Sequence, residues 1–338
     1  MNPYQEPTGD RPTAPAPPRV TVSRPADFLG LVPYLLGFVP HESLVLLLIR
    51  DRQVALTARI DLPPLGQADA VVEQFVQLSG QAGATGMLLF AYAVEPEPAR
   101  TLLQTLADEL GRYGLVDALL VGPERWWSLM CSAGCCPSTG TVYDLASHPL
   151  AAEAVYAGLT AASGRDGIEA QVSGPPAADF ELVQTLTRQV HSEVAALSRS
   201  DRQELVAALV RGFLAEPRRL DDLTCARLAV LVADITVRDV AWALMSRAEA
   251  EQHGDLWGQV VARAVAPWEA APLCLLGMAA WISGNGALQN CCADRAHRVD
   301  PHYSMATLLD DISQQALPPS CWELLAPDLR AEVGPLVG

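Results

Sequence analysis

The sequence predicts an α/β N-terminal domain, a hairpin followed by helix–strand–helix–strand in a mixed sheet, and then an all-α, tetratricopeptide-like C-terminal domain. Three observations carry this. The run Leu44–Ile49 is wholly apolar and is followed by alternation at Val54, Leu56, Ala58 and Ile60. Two further strand-like runs, Met87–Val94 and Leu115–Val121, alternate with helical stripes. From Ala177 onward the apolar residues keep helical spacing and no strand pattern returns.

In chain order, Met1–Arg19 holds six prolines and little apolar bulk. Such a segment cannot repay the entropy of folding, so residues 1–20 are expected to form a disordered, proline-rich tail. Asp27–Leu36 is short and apolar and is expected to cover a sheet edge. Leu44–Ile49 suits a strand buried on both faces, Asp51-Arg52 a tight turn, and Val54–Ile60 the second strand of a hairpin. Pro63 and Pro64 end it, because proline cannot continue a ladder. Ala68–Ser79 shows one apolar stripe through Val71, Val72, Phe75, Val76 and Leu78. Glu95-Pro96-Glu97-Pro98 places acids and proline where a helix N-terminus favours them, opening a helix to about Arg112. Leu115–Val121 is the next strand, with Trp126–Met130 pairing beside it. His148–Ala162 reads as a helix. Ser163–Pro176 reads as a linker with a short strand at Ile168–Val172. The domains are therefore expected at 21–172 and 173–338. Ser200 and Gln203 suggest a capping box for Asp201–Leu214. Helices follow at Leu220–Ala233, Thr236–Glu249, Leu256–Ala266, Pro272–Ile282, Ala287–Val299 and Ser304–Gln315. Ala271–Asp311, with its Gly284-Asn285-Gly286 turn, has the layout of one tetratricopeptide unit and the start of another.

Composition removes several function classes. The 338 residues are 50% hydrophobic and carry a net charge of −16, so nucleic acid and anionic membranes are repelled at long range. All 23 basic residues are Arg, which excludes Schiff-base chemistry and a phosphate-loop lysine. No secretory signal stands at the start, and prolines with His41 and Glu42 interrupt the most apolar window, Phe28–Ile49. Eight cysteines in such a chain read as reduced thiols, hence a cytoplasmic location.

Two places could carry chemistry. Cys131, Cys135 and Cys136 crowd one loop. A metal such as zinc needs four ligands, and here the fourth would come from His148, Asp144 or elsewhere. A redox thiol needs a lowered pKa, which Arg125 permits. A nucleophile needs a base such as His41 or His148. The plainer account is small residues packed under Trp126 and Trp127. The second place is Ser43, Arg59 and Asp61, at adjacent strand ends beside His41. A binding or hydrolytic pocket there competes with simple capping and an Arg59–Asp61 surface pair, which is the favoured account. Arg125, Trp126 and Trp127 by the loop, and Trp242 and Trp281 among the helices, are candidate binding residues, with core packing the alternative for the tryptophans. No cofactor motif is present.

Arg24-Pro25-Ala26-Asp27, Val32-Pro33-Tyr34-Leu35-Leu36-Gly37-Phe38, Ser43-Leu44-Val45, Ala58-Arg59-Ile60-Asp61-Leu62-Pro63, Cys135-Cys136-Pro137 with Gly140, and the segment from Gly284-Asn285-Gly286 to Asp300-Pro301 resemble the actinobacterial family known as domain of unknown function 4192. The resemblance implies a cytosolic actinobacterial protein with an α/β half and a helical half. It also implies that Ser43, Arg59, Asp61 and the Cys-Cys-Pro loop belong to a family pattern, without assigning them an activity. The expected function is a non-catalytic interaction or regulatory protein with a protein partner, compatible with self-association. The alternatives are a hydrolase-like enzyme near Ser43, Arg59, Asp61 and the cysteine loop, and a thiol redox or zinc sensor.

Overall fold

A computed structural model describes residues 22, 24–131, 134, 136–156 and 161–334. The expected tail at 1–20 lies outside them.

Six strands form one mixed sheet in the order β2-β1-β3-β4-β5-β6. They are β1 (Ser43–Arg50), β2 (Gln53–Asp61), β3 (Gly86–Tyr92), β4 (Leu115–Val121), β5 (Arg125–Ser128) and β6 (Thr141–Val142). Among the named strands of the described residues, only the β3–β4 pair is parallel. The hairpin turns on Asp51 and Arg52, both with positive φ. Leu44 to Leu48 are fully buried, as a central strand covered on both faces requires.

The helix α1 (Val32–Leu36) precedes the sheet, and α2 (Ala68–Ala82) and α3 (Pro96–Leu110) cross between strands. The connections β2–α2–β3 and β3–α3–β4 step the same way across the sheet. Right-handed crossovers must then put both helices on one face. Leu44, Leu46, Leu48, Leu89 and Leu120 accordingly pack with Phe75 of α2 and Leu103 and Leu106 of α3. The opposite face is left for other partners. A turn of 3-10 helix at Pro25–Gly30 and α1 supply Leu29, Val32 and Leu36 to it, meeting Val45, Leu47, Phe90 and Leu119. The apolar stretch expected at an edge thus lies against a face, because its inward residues recur at helical spacing.

The remainder is helical: α4 (Pro149–Tyr156), α5 (Arg165–Gln171), α6 (Phe180–Ala195), α7 (Arg199–Ala215), α8 (Asp222–Leu231), α9 (Ile235–Ala243), α10 (Ala250–Val261), α11 (Ala270–Ser283), α12 (Gly286–Val299), α13 (Ser304–Gln314) and α14 (Trp322–Val333). Three local expectations change. Ile168–Val172 belongs to a helix end, since Ile168 and Val172 lie one turn apart and both are buried. The cap before α7 is Ser198, whose Oγ accepts from Asp201 N at 3.1 Å while Asp201 returns a bond to Ser198 N. The stretch expected as one helix from Thr236 to Glu249 stops at Ala243, and the next begins at Ala250. The helices α6 and α14 were not marked individually by the pattern. Apolar residues of these helices and the second sheet face form one contiguous cluster, from Val45 and Phe90 through Val210 and Trp257 to Trp322. No described helix is long and apolar enough to cross a membrane.

Candidate functional site: a cavity beside Asp117

The first expected cluster is real as a contact set. Ser43 stands opposite Asp61 on β2 and opposite Tyr92 on β3. Period-two geometry puts Arg59 and Asp61 on one side of β2. Arg59 Nε donates to Ser43 Oγ at 2.9 Å, and Arg59 Nη1 meets Asp61 Oδ1 at 2.6 Å. Ser43 Oγ donates in turn to the His41 carbonyl at 2.7 Å. Its proton is therefore committed to a carbonyl, and the side chain is fully buried. His41 enters through its backbone oxygen. The Arg59 guanidinium also sits 6.0 Å from the Phe38 ring centroid. The set ties β1 to β2, with the Ser43 hydroxyl buried and both its bonds filled while Asp61 stands exposed at the edge.

The cysteine loop is held by the residues beside it. Arg125 Nη1 donates to the Gly140 carbonyl at 3.0 Å, and Trp127 Nε1 donates to the Ser138 carbonyl at 3.2 Å. Gly140 has φ 77°, and a Cβ there would lie 2.5 Å from the Trp127 ring, so only glycine fits. Arg100 covers the other ring contact, its guanidinium 5.3 Å from the Trp127 centroid. Trp127 and Arg125 thus shape the loop, while Trp126 lines a cavity.

That cavity measures about 740 Å³ and lies on the sheet face that carries the Pro25–Gly30 turn. Its walls come from four separated segments: residues 24–29, the start of β4, β5 with the cysteine loop, and residues 141–149. Cys131 and Cys136 are half-buried wall residues. Cys135 lies outside the described residues. Asp117, on the same face as Leu119 and Val121, is the carboxylate nearest the sheet. Its Oδ1 accepts from Ala118 N at 2.8 Å and from Ser128 Oγ at 2.7 Å. Burial pushes its pKa up, against the pull of the bonds from Ser128, Ala118 and Met130. Tyr143 donates to the Leu29 carbonyl at 3.0 Å, and burial raises its pKa too, with Asp144 and Tyr34 adding to it. His148 Nδ1 accepts from Leu150 N at 3.3 Å and packs over Gly30, where a Cβ would meet that nitrogen at 2.1 Å.

Asp117 and Ser43 are not neighbours. Ser43 pairs with Tyr92 and Tyr92 with Val121, two strand steps, and Asp117 is four residues further down β4. Strand spacings of roughly 4.8 Å and a rise of about 3.3 Å per residue put them on the order of 16 Å apart. The cysteine loop and the Ser43–Arg59–Asp61 set therefore do not form one pocket. Among the described residues no three His, Cys, Asp or Glu side chains converge as a metal ion would need.

Trp242 and Trp281 both pack on Trp322. Trp242 stacks on Trp322 at 5.8 Å, and Trp281 meets Trp322 edge-on at 6.5 Å. Trp281 Nε1 donates to the Leu317 carbonyl at 2.8 Å. A smaller cavity of about 420 Å³ opens beside Trp268 and Tyr303.

Sequence reasoning passed over Asp117, Tyr143 and the Asp27 turn. One signal was available: a lone carboxylate interrupts the apolar strand Leu115–Val121 at an inward position.

No curated protein and no solved structure matches the chain. The family described as a domain of unknown function (DUF4192) matches residues 25–320, spanning both the sheet and most of the helices, and the chain belongs to that family.

Proposed function

We propose that this chain is a non-catalytic, regulatory binding protein that takes a small ligand in the Asp117 cavity. The observation that carries it is the cavity itself: about 740 Å³, within the usual range for ligand sites, with a half-buried carboxylate in a wall of mixed apolar and polar residues. A hydrolase reading is less favoured, since Ser43 is buried and its hydroxyl is spent on a carbonyl. In the same reading the 21–172 part holds the ligand and the 173–338 part presents a tetratricopeptide-like surface to a protein partner. Support comes from α11 and α12, which follow each other across a two-residue turn at Gly284-Asn285. A cytoplasmic location and an actinobacterial origin complete it, on the strength of the thiol pattern and the resemblance.

A thermal-shift screen of small metabolites against the full chain tests the reading. Compounds that raise Tm for the wild-type chain but not for Asp117→Asn support it. A screen in which no compound discriminates the two overturns it.

A further inference from the structure

We propose that the cavity selects an organic cation, a primary ammonium or guanidinium group carried on an apolar body. The proposal rests on the binding reading above and names its ligand class.

The argument begins with charge. The wall holds three carboxylates, Asp27, Asp117 and Asp144, against one guanidinium, Arg24. Arg24 and Asp27 satisfy each other at 3.0 Å across the Pro25 turn. Asp144 is exposed, and its Oδ1 caps the Ala146 N–H at 3.0 Å. Asp117 is different. It is half-buried, and its hydrogen-bond donors are all neutral: the Ala118 N–H, the Ser128 hydroxyl and the Met130 backbone. Among the described residues no Arg or His makes an ion pair with it. A buried charge is expensive unless a counter-charge meets it. Here the fold supplies hydrogen bonds that aim and hold the carboxylate but no cation to neutralise it. A ligand cation is the missing half of that pair.

The rest of the wall agrees. Trp126 and Tyr143 are aromatic wall residues, and aromatic faces attract ammonium and guanidinium groups. Leu29, Val116, Met130 and Val142 give apolar contact for a ligand body. The arginine of the wall, Arg24, is already paired with Asp27. A divalent metal would need several oxygen ligands converging in one shell, and among the described residues no three His, Cys, Asp or Glu side chains converge.

Three probes on one frame separate the possibilities: benzylamine, benzyl alcohol and benzoate, titrated into the full chain by ligand-observed NMR. Benzylamine is expected to bind at least about tenfold tighter than benzyl alcohol, with benzoate weakest, a difference worth roughly 1.4 kcal/mol. Asp117→Asn removes that preference, bringing the amine and the alcohol to similar affinity. Val142→Arg puts a guanidinium at an exposed rim position, 69% accessible, where folding is not at stake. It is expected to weaken benzylamine and favour benzoate. The proposal is overturned if the alcohol or benzoate equals the amine, if the amine preference survives both substitutions, or if none of the three binds the wild-type chain. Benzoate binding that Asp117→Asn alters would defeat the cation class while leaving the binding reading in place; that reading stands or falls on its own screen.

Discussion

The sheet carries two polar clusters on the order of 16 Å apart, and they differ in one respect. At Ser43, Arg59 and Asp61 the charge is paired and the buried hydroxyl has both a donor and an acceptor. At Asp117 the carboxylate is hydrogen-bonded but meets no counter-charge among the described residues, and a cavity opens before it. The residue types are similar; completeness separates them. A polar group whose needs are met inside the chain stabilises the fold. One whose needs are met only in part is poised for something from outside. The Ser43 set looks more like a site in sequence, and the Asp117 set is the one that lines a cavity.

The largest effect concerns a third polar group, closed in but left without a partner. His253 is fully buried on α10, and among the described residues neither ring nitrogen makes a hydrogen bond of good geometry, although the Leu244 backbone lies close. Burial lowers its pKa from 6.5 to about 4, with Glu249 opposing. The unfolded chain therefore takes up a proton near pH 6.5 that the folded chain refuses until about pH 4. Stability is full above pH 6.5 and falls through that window, by up to about 3 kcal/mol from this one group. Urea midpoints measured from pH 7.5 to 4 check it: a His253→Phe chain should lose less over that range than the wild type. Equal losses would remove His253 from the account.

Next comes the Ser43 set. Arg59→Ala deprives Ser43 of its donor and uncovers Phe38, and is expected to cost about 2 kcal/mol. Ligand binding at the distant cavity should be unaffected. Urea denaturation and a benzylamine titration on the same variant read both halves of the comparison. A stable variant that lost binding would reverse the roles given to the two clusters.

Gly30→Ala presses a methyl group into His148. His148 must move, so the cavity wall moves with it. Affinity is expected to fall severalfold and stability by about 1 kcal/mol, read by titration and thermal melting.

The smallest stability effect belongs to Asp117→Asn. Because burial raises the Asp117 pKa, its contribution to stability is present below the unfolded value and lost as pH rises through the folded one. At pH 7 its charge is a burden, so removing it offsets the weakened bonds and Tm is expected to stay close to that of the wild type. A severe drop in Tm would recast Asp117 as a structural residue.

Much of the sheet was legible because its signals are local. The run Leu44–Ile49 and the alternation after Val54 announce β1 and β2, and the stripes in α2 and α3 are single-faced. The short β6, two residues long, has no period to read. The helix α14 carries Pro327 inside it, which argues against a helix in sequence. The cavity was illegible for a different reason. Its walls are brought together from residues 24–29, 116–117, 126–131 with Cys136, and 141–149 by strand order, and strand order is set by long-range pairing. The cysteines were visible as a cluster, yet Asp117, which makes the cavity distinctive, was hidden as one polar residue in an apolar strand.

Amide hydrogen exchange of the full chain with and without saturating benzylamine tests the central contrast most directly. The account predicts slower exchange in peptides covering 116–118 and 126–143, with no change across 43–61. Protection confined to 43–61 would contradict it.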